Sequence, residues 1–430
     1  MTMQRRWPKA ALAMVLVGIL GLQAARPAVV QAQGGADAAS QLAAALRAAA
    51  GQAGSAARPQ QLSTWQALAL EGATCGRGAP FKYYYSPATQ PQAGIFILLS
   101  GGGACLKEGP APEGSAGVAR SLYCMDFGNF EDPAVNDQYF TGLFSGLVGT
   151  VLPYFNRGDA ANPYRAYHFV AVPYCTGDVF AGRMEQAYDY DPSPSADFAV
   201  THRGHLNLMA VLADLQRRVP GDVPVVLSGL SAGGFGAVFN FPEVIERWPR
   251  TVLLPDSGMA PAIENSLFDR EGRTVAARWG ADALLPAWCP GADCLATQRL
   301  LGAHARHFDG HRGPWRPFGL LQSQQDNVLV PYLETSPCGY QLGLRQGLLD
   351  RPANLRAYVP ATDKHVFSIV ADTSNPLAGA RPFVSKRGVN FLDWFRQVTE
   401  AESDADLPAD MQDPYLRCHD LHLAALQLGR

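Results

Sequence analysis

Val225-Val226-Leu227-Ser228-Gly229-Leu230-Ser231-Ala232-Gly233-Gly234 reads as an apolar strand running through Gly-x-Ser-x-Gly into a helix. This is the pattern of a nucleophile elbow, a sharp strand-to-helix turn that presents a serine hydroxyl at the end of a sheet. Glycines flank the serine because a side chain would clash in so tight a turn. Ser231 would sit at a helix N-terminus, where free backbone N–H groups favour developing negative charge. The expected chemistry is attack of Ser231 on a carbonyl carbon. A serine hydroxyl is a weak nucleophile at neutral pH. It needs a histidine to take its proton and a carboxylate to orient that histidine. In the α/β-hydrolase order the acid and the histidine follow the serine.

Six histidines follow Ser231: His304, His307, His311, His365, His419 and His422. His365 stands in Ala361-Thr362-Asp363-Lys364-His365-Val366, directly after the last expected strand, where a general base belongs. Asp326, in Gln324-Gln325-Asp326-Asn327-Val328, lies just past a strand and before His365, and is the expected acid. Asp256 is the rival, one strand too early, and reads as a buttress of the elbow or a helix cap. His304, His307 and His311 cluster as metal ligands might be sought, but no carboxylate or cysteine joins them at ligand spacing and Gly310 interrupts a helix. No metal site is expected. His168 reads as a core residue, and His202 and His205 lack the Glu of a metalloprotease helix. The oxyanion requires fixed donors. Ala232, the residue after the nucleophile, supplies one backbone N–H. Gly102 and Gly103, in Ser100-Gly101-Gly102-Gly103-Ala104-Cys105, supply the others from a turn after an earlier strand.

These residues need a sheet to present them. Buried strands are expected at 81–85, 94–100, 167–173, 223–228, 251–255, 319–322 and 355–360. Helices are expected at 197–218, 234–248 and 389–398. Alternation of the two implies an α/β-hydrolase-like fold with a mostly parallel central sheet flanked by helices. The Gly- and Pro-rich segments 106–165 and 261–318 are expected as cap insertions at the active-site end.

The chain has 430 residues, 47% apolar and 17% charged, with a net charge of −3. That balance gives no basis for nucleic-acid binding or for an anionic membrane surface. Residues 1–32 read as a signal peptide: Arg5, Arg6 and Lys9 precede an apolar run too short to span a bilayer, and Val30-Gln31-Ala32 fits a cleavage site. The expected location is secreted or periplasmic, without stable membrane insertion. An Ala/Gln-rich linker at 33–61 leads into a catalytic domain at 62–430. Eight cysteines behind a signal favour disulfides. Cys105–Cys124 and Cys289–Cys294 are the local pairings expected.

Several blocks together resemble the pectin acetylesterase family, over about residues 75–394. They are Cys75-Gly76-Arg77-Gly78-Ala79-Pro80 with Tyr83-Tyr84, Leu99-Ser100-Gly101-Gly102-Gly103-Ala104-Cys105, Pro173-Tyr174-Cys175-Thr176-Gly177-Asp178, Ser231-Ala232-Gly233-Gly234 and Asp256-Ser257-Gly258. Asp326 and His365 fall where that family's acid and base lie. The resemblance implies carboxylester hydrolysis without cofactor or metal, and a structural Asp256. Ala104 stands where the family usually has tryptophan, and Lys364-His365-Val366 departs from the plant pattern. The expected function is a secreted serine carboxylesterase acting on acyl esters, with an acetylated polysaccharide as the leading substrate. A lipase, polyester depolymerase or protein deacylase would use the same residues. An inactive binding protein on a hydrolase scaffold is the alternative of a different class.

Overall fold

Ile95-Phe96-Ile97-Leu98-Leu99 is apolar at every position, as suits a strand covered on both faces, and all five residues are buried. Val225–Leu230 and Thr251–Asp256 are likewise buried at every position. The computed structural model describes residues 65–90, 92–107, 121–124, 152–188, 198–219, 221–261, 278–369 and 382–418. The expected signal peptide and the expected linker lie outside them.

The strands are β1 (Gln66–Thr74), β2 (Pro80–Ser86), β3 (Ile95–Leu99), β4 (His168–Val172), β5 (Met184–Tyr188), β6 (Phe198–His202), β7 (Val225–Leu230), β8 (Thr251–Asp256), β9 (Phe318–Leu321), β10 (Leu355–Val359) and β11 (Met411–Gln412). The helices are α1 (Gly204–Arg218), α2 (Ala232–Arg247), α3 (Thr297–His307), α4 (Leu329–Tyr332), α5 (Pro337–Leu349) and α6 (Phe391–Glu400). Among the described residues, nine strands form one sheet in the order β1-β2-β4-β3-β7-β8-β9-β10-β11. β2 runs antiparallel to both its neighbours, and every pairing from β4 to β11 is parallel. β5 and β6 form a separate antiparallel hairpin. This is the mostly parallel, α/β-hydrolase-like architecture expected.

Consecutive residues of a strand point to opposite faces. In β9, Phe318 packs on Phe241 of α2 at 5.2 Å between ring centroids. A Cβ added to the next residue, Gly319, would meet Trp394 of α6 at 3.4 Å. Helices α2 and α6 therefore cover opposite faces. On the α6 side, Phe96 stacks on Phe395 and on Tyr154, at 6.1 and 4.6 Å.

Several elements differ from expectation. Residues 198–202 form β6, and the helix starts only at Gly204. Its N–H donates to the buried Asp178 carboxylate at 2.7 Å, which fixes the start of α1 from outside the local sequence. Residues 297–307, expected within a cap, form α3 and pack on α2 in the helical layer. The edge strand β1, the hairpin and α5 were not expected. Four disulfides close the chain: Cys105–Cys124 and Cys289–Cys294 as expected, with Cys75–Cys175 and Cys338–Cys418.

Candidate active site

In an open α/β sheet, ligands are met at the carboxyl ends of the strands. Five neighbours, β3, β7, β8, β9 and β10, carry at or just past their carboxyl ends Gly101–Ala104, Ser231, Asp256, Asp326 and His365 in turn.

Ser231 adopts φ 55°, ψ −120°, and α2 begins at the next residue. A non-glycine residue there is strained, and such strain persists only when the surroundings enforce it. The Ser231 N–H donates to Asp256 O at 2.9 Å, and its carbonyl accepts from Gly234 N at 2.8 Å. Gly229 and Gly233 are required by contact. An added Cβ would come within 2.0 Å of Gly233 O and Leu99 O respectively. The glycine loop presses directly on the elbow, since a Cβ at Gly101 would lie 3.0 Å from Ser231 Cβ. Ser100 and Cys105 donate their N–H groups to Val172 O and Gly177 O. The four amides between them make no backbone hydrogen bond among the described residues.

Ser231, Gly103, Ala104, Ala232 and Phe235 line a cavity of about 40 Å³ together with Leu106, Val179, Trp279, Leu329, Tyr332 and Leu333. Of the loop, Gly103 and Ala104 border the cavity, and Gly102 is buried just before them.

His365 Nδ1 lies 2.9 and 2.8 Å from the two Asp326 carboxylate oxygens. The carboxylate is held in turn. Oδ1 accepts from Val328 N and Leu329 N at 3.0 and 2.9 Å, and Oδ2 from Gln322 Nε2 at 3.0 Å. The loops after β9 and β10 are stitched together by Asn327 N–H to Asp363 O at 2.9 Å and by the Ser323 hydroxyl to Lys364 O. The side chains of His365 and Asp326 are 4% and 0% exposed. His365 Nε2 is buried and makes no hydrogen bond, so none joins it to Ser231 in this structure.

Asp256 ties the two halves together. Its backbone carbonyl holds Ser231 N, while its carboxylate accepts from Phe367 N at 2.9 Å and Ser368 N at 2.7 Å. Ser257 Oγ accepts from Val366 N at 3.0 Å. Val366 is itself left-handed, at φ 55°. Burial pushes the Asp256 carboxyl above its usual range, against the hydrogen bonds from Ser368 and Phe367 and the nearby His365. Asp256 thus fixes the residues just after His365 relative to the elbow, and it does not touch His365 Nδ1 as Asp326 does.

The other histidines are committed elsewhere. His304 is fully buried. Its Nδ1 accepts from Trp288 Nε1 at 3.1 Å and its Nε2 donates to Val238 O at 3.0 Å, leaving no lone pair for a metal. His307 stacks on Trp288 at 4.0 Å. His202 Nδ1 bonds Thr176 O, and His205 Nδ1 bonds Asn240 Oδ1. His168 Nδ1 meets Tyr85 Oη at 2.6 Å. His419 and His422 lie outside the described residues.

A family model described as pectinacetylesterase matches residues 155–268, a segment that holds Ser231 and Asp256 but ends before Asp326 and His365. No curated protein matches the chain in sequence. Among solved structures, the Wnt deacylase Notum from Drosophila is similar at a TM-score of 0.52 and 16% identity, covering 83% of this chain and 98% of that one. At that identity the likeness is one of fold, and a fold alone does not assign a reaction. The family match supports an ester hydrolase. The chain therefore resembles the pectinacetylesterases through the segment that carries Ser231, and shares an α/β-hydrolase-like fold with Notum.

Proposed function

We propose that the chain is a serine carboxylesterase that removes a short acyl group, acetyl first, from an extracellular polysaccharide or similar ester. The observation that carries this reading is the strained Ser231 elbow, set in a small apolar cavity against the glycine loop. In the reaction, His365 Nε2 takes the Ser231 proton as Oγ bonds to the ester carbonyl carbon. Asp326, on Nδ1, holds the tautomer that leaves Nε2 free to accept. Negative charge then develops on the carbonyl oxygen, where the amides of Ala232, Gly102 and Gly103 would meet it. Collapse expels the alcohol, which takes the proton from His365. Water then attacks the acyl-enzyme with His365 again as base, and releases the carboxylate and free Ser231.

A short acyl group is favoured because the cavity at Ser231 is small, about 40 Å³, and walled by apolar side chains. Secretion is supported by the four disulfides. No helix among the described residues is long and apolar enough to cross a membrane. Ser231→Ala should lower turnover of p-nitrophenyl acetate by about four orders of magnitude and abolish labelling by a fluorophosphonate, with the protein still folded. Retained turnover in that variant would refute the mechanism. Failure of the wild-type protein to react with either reagent would favour a binding protein on this scaffold.

A further inference from the structure

Val179 and Phe180 are consecutive non-glycine residues in the left-handed region, at φ 48° and 59°. A β-branched residue there is a genuine outlier, and neither residue belongs to the serine, histidine or aspartate loops. Hydrogen bonds hold both amides and the Phe180 carbonyl in this conformation. The Val179 N–H donates to Tyr174 Oη at 2.8 Å, and the Phe180 N–H to Asp178 Oδ1 at 3.1 Å. The same carboxylate accepts from Thr176 Oγ1 at 2.7 Å and from Gly204 N at the start of α1. From α2, Asn240 Nδ2 donates to Phe180 O at 2.9 Å. The packing leaves no slack: a Cβ added to Gly182 or Gly204 would fall 2.2 or 2.3 Å from the Asp178 carboxylate. Strain held this firmly marks a place where the position of a side chain matters.

The side chain so placed borders the cavity at Ser231. Val179 is 5% exposed and shares that cavity with Ser231 and Trp279. We propose that Val179 sets the length of acyl chain accepted at Ser231, with Asp178 and Tyr174 as positioning residues that hold it in its left-handed conformation against the cavity. This rests on the esterase reading above. On this proposal the valine side chain takes up space beside Ser231 that the further methylenes of a longer acyl group would need. Glycine at the same position adopts positive φ without strain and gives up the whole side-chain volume.

The test compares wild type, Val179→Gly and Tyr174→Phe on p-nitrophenyl acetate, butyrate and octanoate. Fluorophosphonate labelling of Ser231 and the thermal midpoint serve as controls. In Val179→Gly the ratio of kcat/KM for butyrate to that for acetate should rise about tenfold or more, the scale of discrimination one methylene gives in an apolar pocket. Relief of the left-handed strain offsets part of the stability lost with the buried side chain, and the thermal midpoint confirms that the variant is folded. Tyr174→Phe strands the Val179 N–H and should move the ratio in the same direction by less. A ratio unchanged within about twofold in labelled, folded variants would overturn the proposal and leave the esterase reading standing. A wild-type protein that neither labels nor turns over any of the three esters would instead defeat that reading.

Discussion

Asp256 shows how much one buried carboxylate can position without touching the reacting atoms. It faces the amides of Phe367 and Ser368, while its main chain holds Ser231. Asn at this position keeps the shape but turns an NH₂ group towards one of those amides. The loop after β10 must then shift, and a displacement of about 1 Å at a catalytic group costs on the order of 10²-fold in rate. We expect Asp256→Asn to lower kcat about 10²-fold with little change in KM, and to lower stability by about 1–3 kcal/mol, the usual cost of an unsatisfied buried polar group. Steady-state kinetics and urea unfolding would check both. Lost stability with unchanged kcat would make Asp256 a packing residue alone. Asp326 is different in kind. It meets His365 directly, so its loss would remove the orientation of the base itself.

Elements were legible in the sequence where the determinant is local. β3 announces itself by an unbroken apolar run, β7 and β8 by the shorter runs Val225–Leu227 and Val252–Pro255, and the elbow by two glycines that the turn cannot do without. Asp326 and His365 were found by chain order and by their place after strands, a weaker signal that the structure brings into contact. What was hidden is set by tertiary partners. The helical spacing of 197–218 continues through residues that the hairpin takes as β6, because Asp178 starts α1 at Gly204. Gly339, Gly343 and Gly347 obscured α5, although Ser336-Pro337 is an N-cap followed by proline at the first helical position. Nothing local marks Val179 as left-handed. Gly236 is the matching case on α2. Alanine there should gain about 1 kcal/mol of helix propensity, but its Cβ would lie 2.7 Å from Phe180 Cβ and 2.9 Å from Val179 O. Neither is the free end of a flexible side chain, so overpacking, at about 1–3 kcal/mol, outweighs the gain. Gly236→Ala is expected to be destabilised in urea. A stabilised variant would show that the Val179–Phe180 corner yields easily.

At the scale of the molecule, buried neutral histidines make the fold sensitive to acid. The helical layer over β8 and β9 closes on His304, whose two ring nitrogens join Trp288 to the main chain of α2. Burial pushes this histidine down to about 3, with His307 adding to the effect and the bond to Val238 opposing it. His168, on β4, is pushed down to about 4 by burial and by Arg157. In the unfolded chain both titrate near 6.5. Between the folded and unfolded values the unfolded chain holds more protons than the native one, so stability rises with pH there. The contribution of His304 is complete above about pH 6.5 and is lost at about 1.4 kcal/mol per unit as pH falls towards 3. At pH 5 that loss is about 2 kcal/mol, large beside a typical total of 5–15 kcal/mol. The disulfides constrain the unfolded chain at any pH and do not offset this slope. His304→Gln keeps a donor for Val238 O and carries no titrating group. It is expected to be less stable than wild type at pH 7.5 but to lose about 2 kcal/mol less between pH 6.5 and pH 5. His168 still titrates in that variant, so some acid sensitivity remains. Urea unfolding at the two pH values measures the difference directly. Equal losses in variant and wild type would mean that His304 is already protonated in the native core.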